Sequence, residues 1–297
     1  MKKIYQSKSK RTVSHFANNK MASYLTARSQ ELFAFRGQRM AIFANDYIGI
    51  LVNQFGIFER EELDSLFEFL CPLAEQFKGA TALDIGANIG NHSIYFSRSF
   101  SAVHAFEPSP VTFDLLTINS RFSTKITPHN LGLGDQRGTF RLVESPTNVG
   151  IASIKFSDVT GGVAIDITVE RLDDLELDLS RLEFIKIDVE GFEANVVRGG
   201  SRVIKERQPL IVLEQHASEF TGGTTETISL LAQLGYRFCW QEKKPASRFW
   251  LLRRLRELGE VLFGHSFVML SGDRVPPRNH TMLVAVPPRF QALLGIG

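Results

Sequence analysis

The sequence predicts an α/β protein built on a doubly wound, mostly parallel sheet, and three observations predict it. Short apolar runs recur at 81–85, 102–106, 126–130, 184–188, 210–214, 236–240 and 282–286. Most lack polar alternation, as strands covered on both faces require. The runs alternate with stretches of helical pattern from residue 80 onward. The first run, Thr81-Ala-Leu-Asp84-Ile85, turns at once over Gly86, Asn88 and Gly90 into a helix that Asn91 opens, and the second run ends on an acid, Glu107, twenty-one positions after Gly86. That is the local anatomy of a crossover unit that takes a nucleoside at the carboxyl ends of its strands.

Taken in order, residues 1–20 are polar, basic and aperiodic, which predicts a mobile arm. Residues 21–78 predict a helical extension. Within it Leu63, Leu66, Phe67, Leu70, Leu73 and Phe77 recur at helical spacing behind the acidic start at 59–64, and Pro72 breaks or kinks the helix. Residues 79–297 predict the α/β domain. Its alternating pieces at 139–143 and 164–169, with Gly161-Gly162 between them, read as a hairpin-like excursion. A basic insertion at about 241–280 precedes the last strand.

Among 297 residues, 43% hydrophobic, the 24 phenylalanines predict heavy aromatic packing. Cys71 and Cys239 show neither metal-ligand spacing nor a disulfide framework, which suits a reducing, cytoplasmic setting. The lysine-rich start has no apolar stretch of a signal peptide, and no run approaches the roughly 20 apolar residues of a spanning helix. The net charge of +2 is uneven, with +8 in residues 1–40, +5 in residues 241–297 and −11 between them. Basic ends suit anionic partners such as membrane surfaces or acidic glycans, or simply solvated tails.

The glycine loop narrows the ligand. A pyrophosphate site reads G-x-G-x-x-G, whereas this run is G-x-N-x-G, with His92 and Ser93 where the last glycine would stand. The Asn88 amide suits a carboxylate and an ammonium better than a pyrophosphate, and Asp84 would repel phosphate while holding an ammonium. A nucleoside carrying an amino acid, S-adenosylmethionine, meets these terms; a glycine-rich turn with no ligand is the alternative. Two charged pairs then gather at the same sheet edge. Lys186 and Asp188 share one face of their run, and Glu214 and His216 share one face of theirs. Lys186 and Glu214 fit a structural ion pair as well as a catalytic one, while Asp188 and His216 lie further out, where substrate would sit.

With these residues in place, the chain resembles the FkbM-type methyltransferases, a branch of the class I S-adenosylmethionine-dependent enzymes. The matching pieces are L-D-I-G-A-N-I-G-N-H-S at 83–93, H-A-F-E-P-S-P at 104–110, N-L-G-L-G-D at 130–135, I-K-I-D-V-E-G-F-E at 185–193 and L-E-Q-H at 213–216, with G-I-F-E at 56–59 upstream. The resemblance covers roughly residues 45–240 and implies a Rossmann-like sheet of seven strands, the last antiparallel. It also implies that Gly86, Asn88 and Gly90 line the methionine part of the cofactor, Asn91 joins them in binding the cofactor, Glu107 holds the ribose, Leu131 and Gly132 border the adenine, and Asp188 and Glu190 lie near the methyl group.

The expected activity is methyl transfer to a hydroxyl of a sugar, a polysaccharide or another small natural product. For the base, His216 is the first choice and Asp188 the second, with Glu214 fixing the histidine or neutralising Lys186. No metal is expected, since Asp188 and Glu214 have no further carboxylate nearby in the reading. A nucleic-acid methyltransferase would explain the basic ends, but 188–191 reads Asp-Val-Glu-Gly where amino-directed enzymes carry an Asn/Asp-Pro-Pro-aromatic loop. A nicotinamide oxidoreductase lacks its glycine signature here, and a degenerate, non-catalytic scaffold is the remaining alternative. In the insertion, 248–263 can form an amphipathic helix, with Phe249, Leu252, Leu255, Leu258 and Leu262 on a stripe and Arg253, Arg254 and Arg256 off it. Such a helix suits a lid or a homodimer contact, or peripheral attachment to an anionic membrane.

Overall fold

The computed structural model describes residues 13–36, 39–43, 46–144, 152–153, 163–243 and 267–296. The chain begins with helices α1 (Val13–Arg36), α2 (Tyr47–Phe55) and α3 (Arg60–Phe69). A 3-10 turn at Cys71–Leu73 containing Pro72 follows, then α4 (Ala74–Phe77), so the proline does end one helix. Helix α1 takes in residues 13–20, which the sequence reads as an arm. The reason is visible in its surface. Its described side chains are exposed apart from Arg28 and Leu32, so among the described residues no apolar stripe announces it.

The domain then runs β1 (Thr81–Ile85), α5 (Asn91–Phe96), β2 (Ala102–Phe106), α6 (Pro110–Ser120), β3 (Ile126–His129), β4 (Gly132–Leu133), β5 (Gly138–Glu144), β6 (Ala152–Ser153) and β7 (Val163–Glu170). It continues through β8 (Leu182–Ile187), α7 (Glu193–Gly199), α8 (Ser201–Arg207), β9 (Leu210–Gln215), α9 (Glu226–Gln233), β10 (Arg237–Lys243), β11 (Phe267–Ser271), β12 (His280–Val286) and α10 (Pro288–Gln291). The main sheet has the order β11-β10-β12-β9-β8-β1-β2-β3. Strands β3, β2, β1, β8 and β9 are parallel, and β12 is antiparallel to both β9 and β10.

All seven expected strands are present. An eighth, β11, pairs antiparallel with β10 at the sheet edge, inside the stretch read as insertion. Its run, Phe267-Val-Met-Leu-Ser271, is apolar although its side chains are half-buried or exposed, and it lies within the stretch read as insertion. Residues 244–266, which include the amphipathic 248–263 segment, lie outside the described residues. The 139–170 excursion is an antiparallel β5–β7 pair in a second sheet, ordered β4-β7-β5-β6.

Period-two alternation divides the core between the two faces of the main sheet. Ala82, Phe184, Val212, Met282 and Val284 face Leu63, Leu66, Phe77, Phe96 and Phe100. Leu83, Ile85, Ile187, Leu213 and Leu283 face Val196, Ile204 and Leu231. The first face carries the phenylalanine packing, with ring centroids 4.8 Å apart for Phe77–Phe100 and 5.0 Å for Phe96–Phe184. Asp84, Lys186 and Glu214 share its parity. Asp84 sits opposite Lys186 in the β1–β8 register, which brings these charges together under α3 and α5.

Candidate active site

Glycine geometry makes the turn after β1 possible. Gly86 has φ 78°, and a Cβ there would stand 1.8 Å from the Asp188 carbonyl oxygen. The Gly86 and Ala87 N–H groups donate to the Phe106 carbonyl at 3.0 and 2.9 Å, locking the loop against the end of β2. The next acid completes it. Glu107 is 8% exposed, with one carboxylate oxygen accepting from the Asn88 N–H and the other from the Ser109 N–H, both at 2.9 Å. Asn88 Oδ1 accepts from the Ile89 N–H at 2.7 Å.

A cavity of about 280 Å³ opens beside this loop at the carboxyl ends of the strands. Gly86, Asn88, Asn91, Glu107, Gly132, Lys186, Asp188, Glu190 and Glu214 line it; Asp84, Gly90, Leu131 and His216 do not. Asp84 is fully buried behind the wall, where it accepts from Ser93 Oγ at 2.5 Å and lies 3.6 Å from Lys186 Nζ. Its partners are internal, which takes it out of contact with any ammonium in the cavity. Gly90 begins α5 with φ 86° and packs against Leu116. Leu131 packs into the second core face, and Leu133 takes the wall position beside Gly132.

The cavity has two chemically different parts. Toward Glu107 the wall is apolar, with Phe106, Pro108, Leu133, Leu142 and Phe192. A buried carboxylate beside an apolar slot fits the ribose and base of a nucleoside. At the other end Glu59, His92, Lys186, Asp188 and Glu214 form a charged floor, which also bounds a smaller pocket above Leu63, Leu66 and Phe96.

Charges on this floor are set by one another. Lys186 Nζ lies 3.0 Å from Asp188 Oδ2 and donates to the Gly86 carbonyl at 3.2 Å. Burial works against its ammonium, but Asp188 and Asp84 outweigh burial and hold the lysine charged. Burial would likewise raise Asp188, yet Lys186 and a hydrogen bond from Glu214 hold it low and ionised. Glu214 is the protonated partner, pushed up to about 9 by burial and by the Asp188 charge. Glu190 is raised by burial and by Asp188.

Two expectations change here. Oxygens of Asp188, Glu190 and Glu214 lie within 4.8 Å of one another, so the third carboxylate missing from the sequence reading is Glu190. An all-oxygen trio is the donor set of a hard divalent ion, although Lys186 and the proton between Asp188 and Glu214 already offset its charge. The second change concerns His216. Strand β9 ends at Gln215, and His216 opens the 3-10 turn at Ala217–Glu219, its N–H donating to Glu219 Oε1 and its carbonyl accepting from the Glu219 N–H, both at 3.0 Å. Its Nε2 faces Glu190 Oε2 at 3.4 Å. His216 itself does not line the cavity. The residues the reading passed over are Glu59 and His92. Each stood inside a quoted motif, but the contact between them forms only when the helical extension docks.

Strand order 3-2-1 continued by β8, β9, an antiparallel β12 and β10, with an acid closing β2, defines the class I methyltransferase fold. Residues 84–238 match the methyltransferase FkbM domain, and the chain belongs to that family. It is 31% identical over 149 residues to the hexuronic acid methyltransferase AglP of Haloferax volcanii, covering 49% of this chain and 60% of that protein. It is 29% identical over 141 residues to Methyltransferase 1 of Beauveria bassiana, covering 39% of this chain and 57% of that one. The chain thus spans about three-fifths of the length of these curated relatives. A solved structure, methyltransferase FkbM from Methylobacillus flagellatus KT, aligns at 23% identity and a TM-score of 0.38, covering 55% of this chain and 40% of that one.

Proposed function

We propose that this chain transfers a methyl group from S-adenosylmethionine to an oxygen of a sugar or another hydroxylated small molecule. The observation that carries this reading is one continuous cavity joining the Glu107 carboxylate and its apolar slot to a charged floor around Asp188. Glu107 would hold the ribose hydroxyls, Pro108, Gly132 and Leu133 the base, and Gly86, Asn88 and Glu190 the amino-acid portion. The bound cofactor would supply an electrophilic methyl group. The chain's own residues would hold an acceptor oxygen about 3 Å from it and exclude water.

Asp188, ionised beside Lys186, orients the acceptor through a hydroxyl neighbouring the one that reacts, while protonated Glu214 donates to Asp188 and fixes its rotamer. A floor rich in carboxylates favours a neutral polyol over a nucleic-acid backbone, whose phosphates it would repel. The relative named for hexuronic acids supports a sugar acceptor.

Calorimetric titration with S-adenosylhomocysteine, with NAD as control, tests the reading. The expected result is binding of the first ligand alone, weakened at least about tenfold in Glu107→Ala by loss of charge-assisted hydrogen bonds. A folded protein that binds neither ligand would be a scaffold.

A further inference from the structure

The acceptor's proton needs a destination, and His216 does not line the cavity. We propose that His92 is the base that takes this proton and that Glu59 is the positioning residue that fixes its ring, an inference that rests on the methyl-transfer reading above.

The backbone is the first argument. Four described non-glycine residues have positive φ, namely Glu59, Asn88, Glu190 and Gln208, and the first three line the cavity. A left-handed residue costs on the order of 1 kcal/mol or more and is kept where surrounding structure demands it. Glu59 is also the N-cap of α3, yet its side chain makes no capping hydrogen bond. It turns instead to His92, with Oε2 at 3.3 Å from Nε2.

The ring is the second argument. His92 Nε2 is buried without an aligned hydrogen bond, so the Glu59 contact is at ion-pair distance and not yet in hydrogen-bond geometry. Catalytic contacts commonly tighten in this way when substrate closes a site. Rings of Phe58 and Phe96 lie 6.4 and 6.0 Å from the His92 ring and restrict its rotation. With Nε2–H directed at Glu59, the lone pair sits on Nδ1, which has no protein partner among the described residues, on a ring that lines the cavity. A nucleophile-side base oriented by a carboxylate is the general logic of acid–base dyads. Asp188 is the weaker alternative because Lys186 and the Glu214 proton already satisfy its carboxylate.

In the step itself, an acceptor oxygen lone pair forms the new O–CH3 bond while the methyl–sulfur bond breaks and its electron pair stays on sulfur. The hydroxyl proton passes to His92 Nδ1. The products are a methyl ether, S-adenosylhomocysteine and an imidazolium, which later releases its proton to solvent. The titratable groups around this ring are Glu59, from the loop before α3, and Lys186, Asp188 and Glu214, from the sheet edge.

The test combines nitrogen-15 NMR of the histidine ring with methyl transfer to two probes, methyl α-D-glucopyranoside and glucuronic acid. The expected spectrum shows His92 protonated on Nε2 in the wild type, kept so in Glu59→Gln and mixed in Glu59→Ala. Hydroxyl methylation by wild type should fall at least about 100-fold in His92→Gln, with unchanged affinity for S-adenosylhomocysteine and loss of the acid limb of the pH–rate profile. An Nδ1-protonated His92, undiminished hydroxyl transfer in His92→Gln, or transfer confined to the carboxylate of glucuronic acid would each overturn the assignment. Should neither probe be methylated, the tautomer alone decides. Failure of the wild type to bind S-adenosylhomocysteine would instead overturn the methyl-transfer reading.

Discussion

At the residue scale, the proton between Glu214 and Asp188 has a consequence for stability. Glu214 is raised from 4.5 to about 9, first by burial and then by the Asp188 charge, so the folded chain keeps a proton that the unfolded chain releases. A raised folded pKa contributes stability that is full below about pH 4.5 and is lost as pH rises through about 9. Glu214→Gln keeps a donor to Asp188 but has no proton to lose. The variant should therefore lose less stability than wild type between about pH 5 and about pH 9, as read from urea midpoints across that window. Glu193, raised to about 7 by burial, contributes a slope of the same sign in both proteins and cancels from the comparison. Equal slopes would show that Glu214 is ionised in the folded state. Such a proton is illegible in sequence, where Glu214 shows only as a charge interrupting an apolar run. The Glu107 position was legible because its distance from the glycine loop is set within one crossover unit.

At the element scale, the segment between α2 and α3 forms one wall of the site, and the Asn91 side chain ties its backbone to α5. Asn91 Oδ1 accepts from the Phe58 N–H at 2.9 Å, and its Nδ2 donates to the Phe58 carbonyl at 3.1 Å. This amide, read in the sequence as a cofactor ligand, thereby fixes Phe58 and its neighbour Glu59 against α5. Asn91→Ala removes both bonds, with an expected cost of about 1–3 kcal/mol. Amide exchange at Phe58 should quicken by about tenfold or more while exchange in β1 and β8 stays slow. Unchanged protection at Phe58 would mean the wall is held by its apolar contacts alone. Elements also explain the uneven reading of the sequence. Buried parallel strands announce themselves as apolar runs, whereas α1, largely exposed along its described length, leaves a weaker pattern, and the apolar run of the edge strand β11 is short and sits within a basic stretch. Period two continued past Gln215 puts His216 on the face of Glu214, but β9 ends at Gln215.

At the scale of the whole molecule, the helical extension is two things that sequence composition does not separate. Helix α1 is largely exposed along its described length. The linker after it is already stitched to the domain, where Asn119 exchanges hydrogen bonds with Ala41 at 2.6 and 3.0 Å and donates to the Ile89 carbonyl at 2.7 Å. Beyond that linker, Ile57, Leu63, Leu66, Leu70, Leu73 and Phe77 are all at most 2% exposed and cover one face of the main sheet. Six such side chains, at about 1.5–3 kcal/mol each, are worth on the order of 10 kcal/mol, comparable to the entire stability of an ordinary domain. A chain beginning at residue 39 should therefore melt cooperatively and bind S-adenosylhomocysteine as the full chain does. One beginning at residue 79 should not fold, because it exposes Phe96, Phe100 and Phe184 to water and loses Glu59 from the cavity wall. Circular dichroism melting of the two truncations separates these outcomes. A cooperative melt from residue 79 onward would make α2 to α4 an appendage rather than a layer of the core, and would leave the acceptor end of the cavity to be completed by the sheet alone.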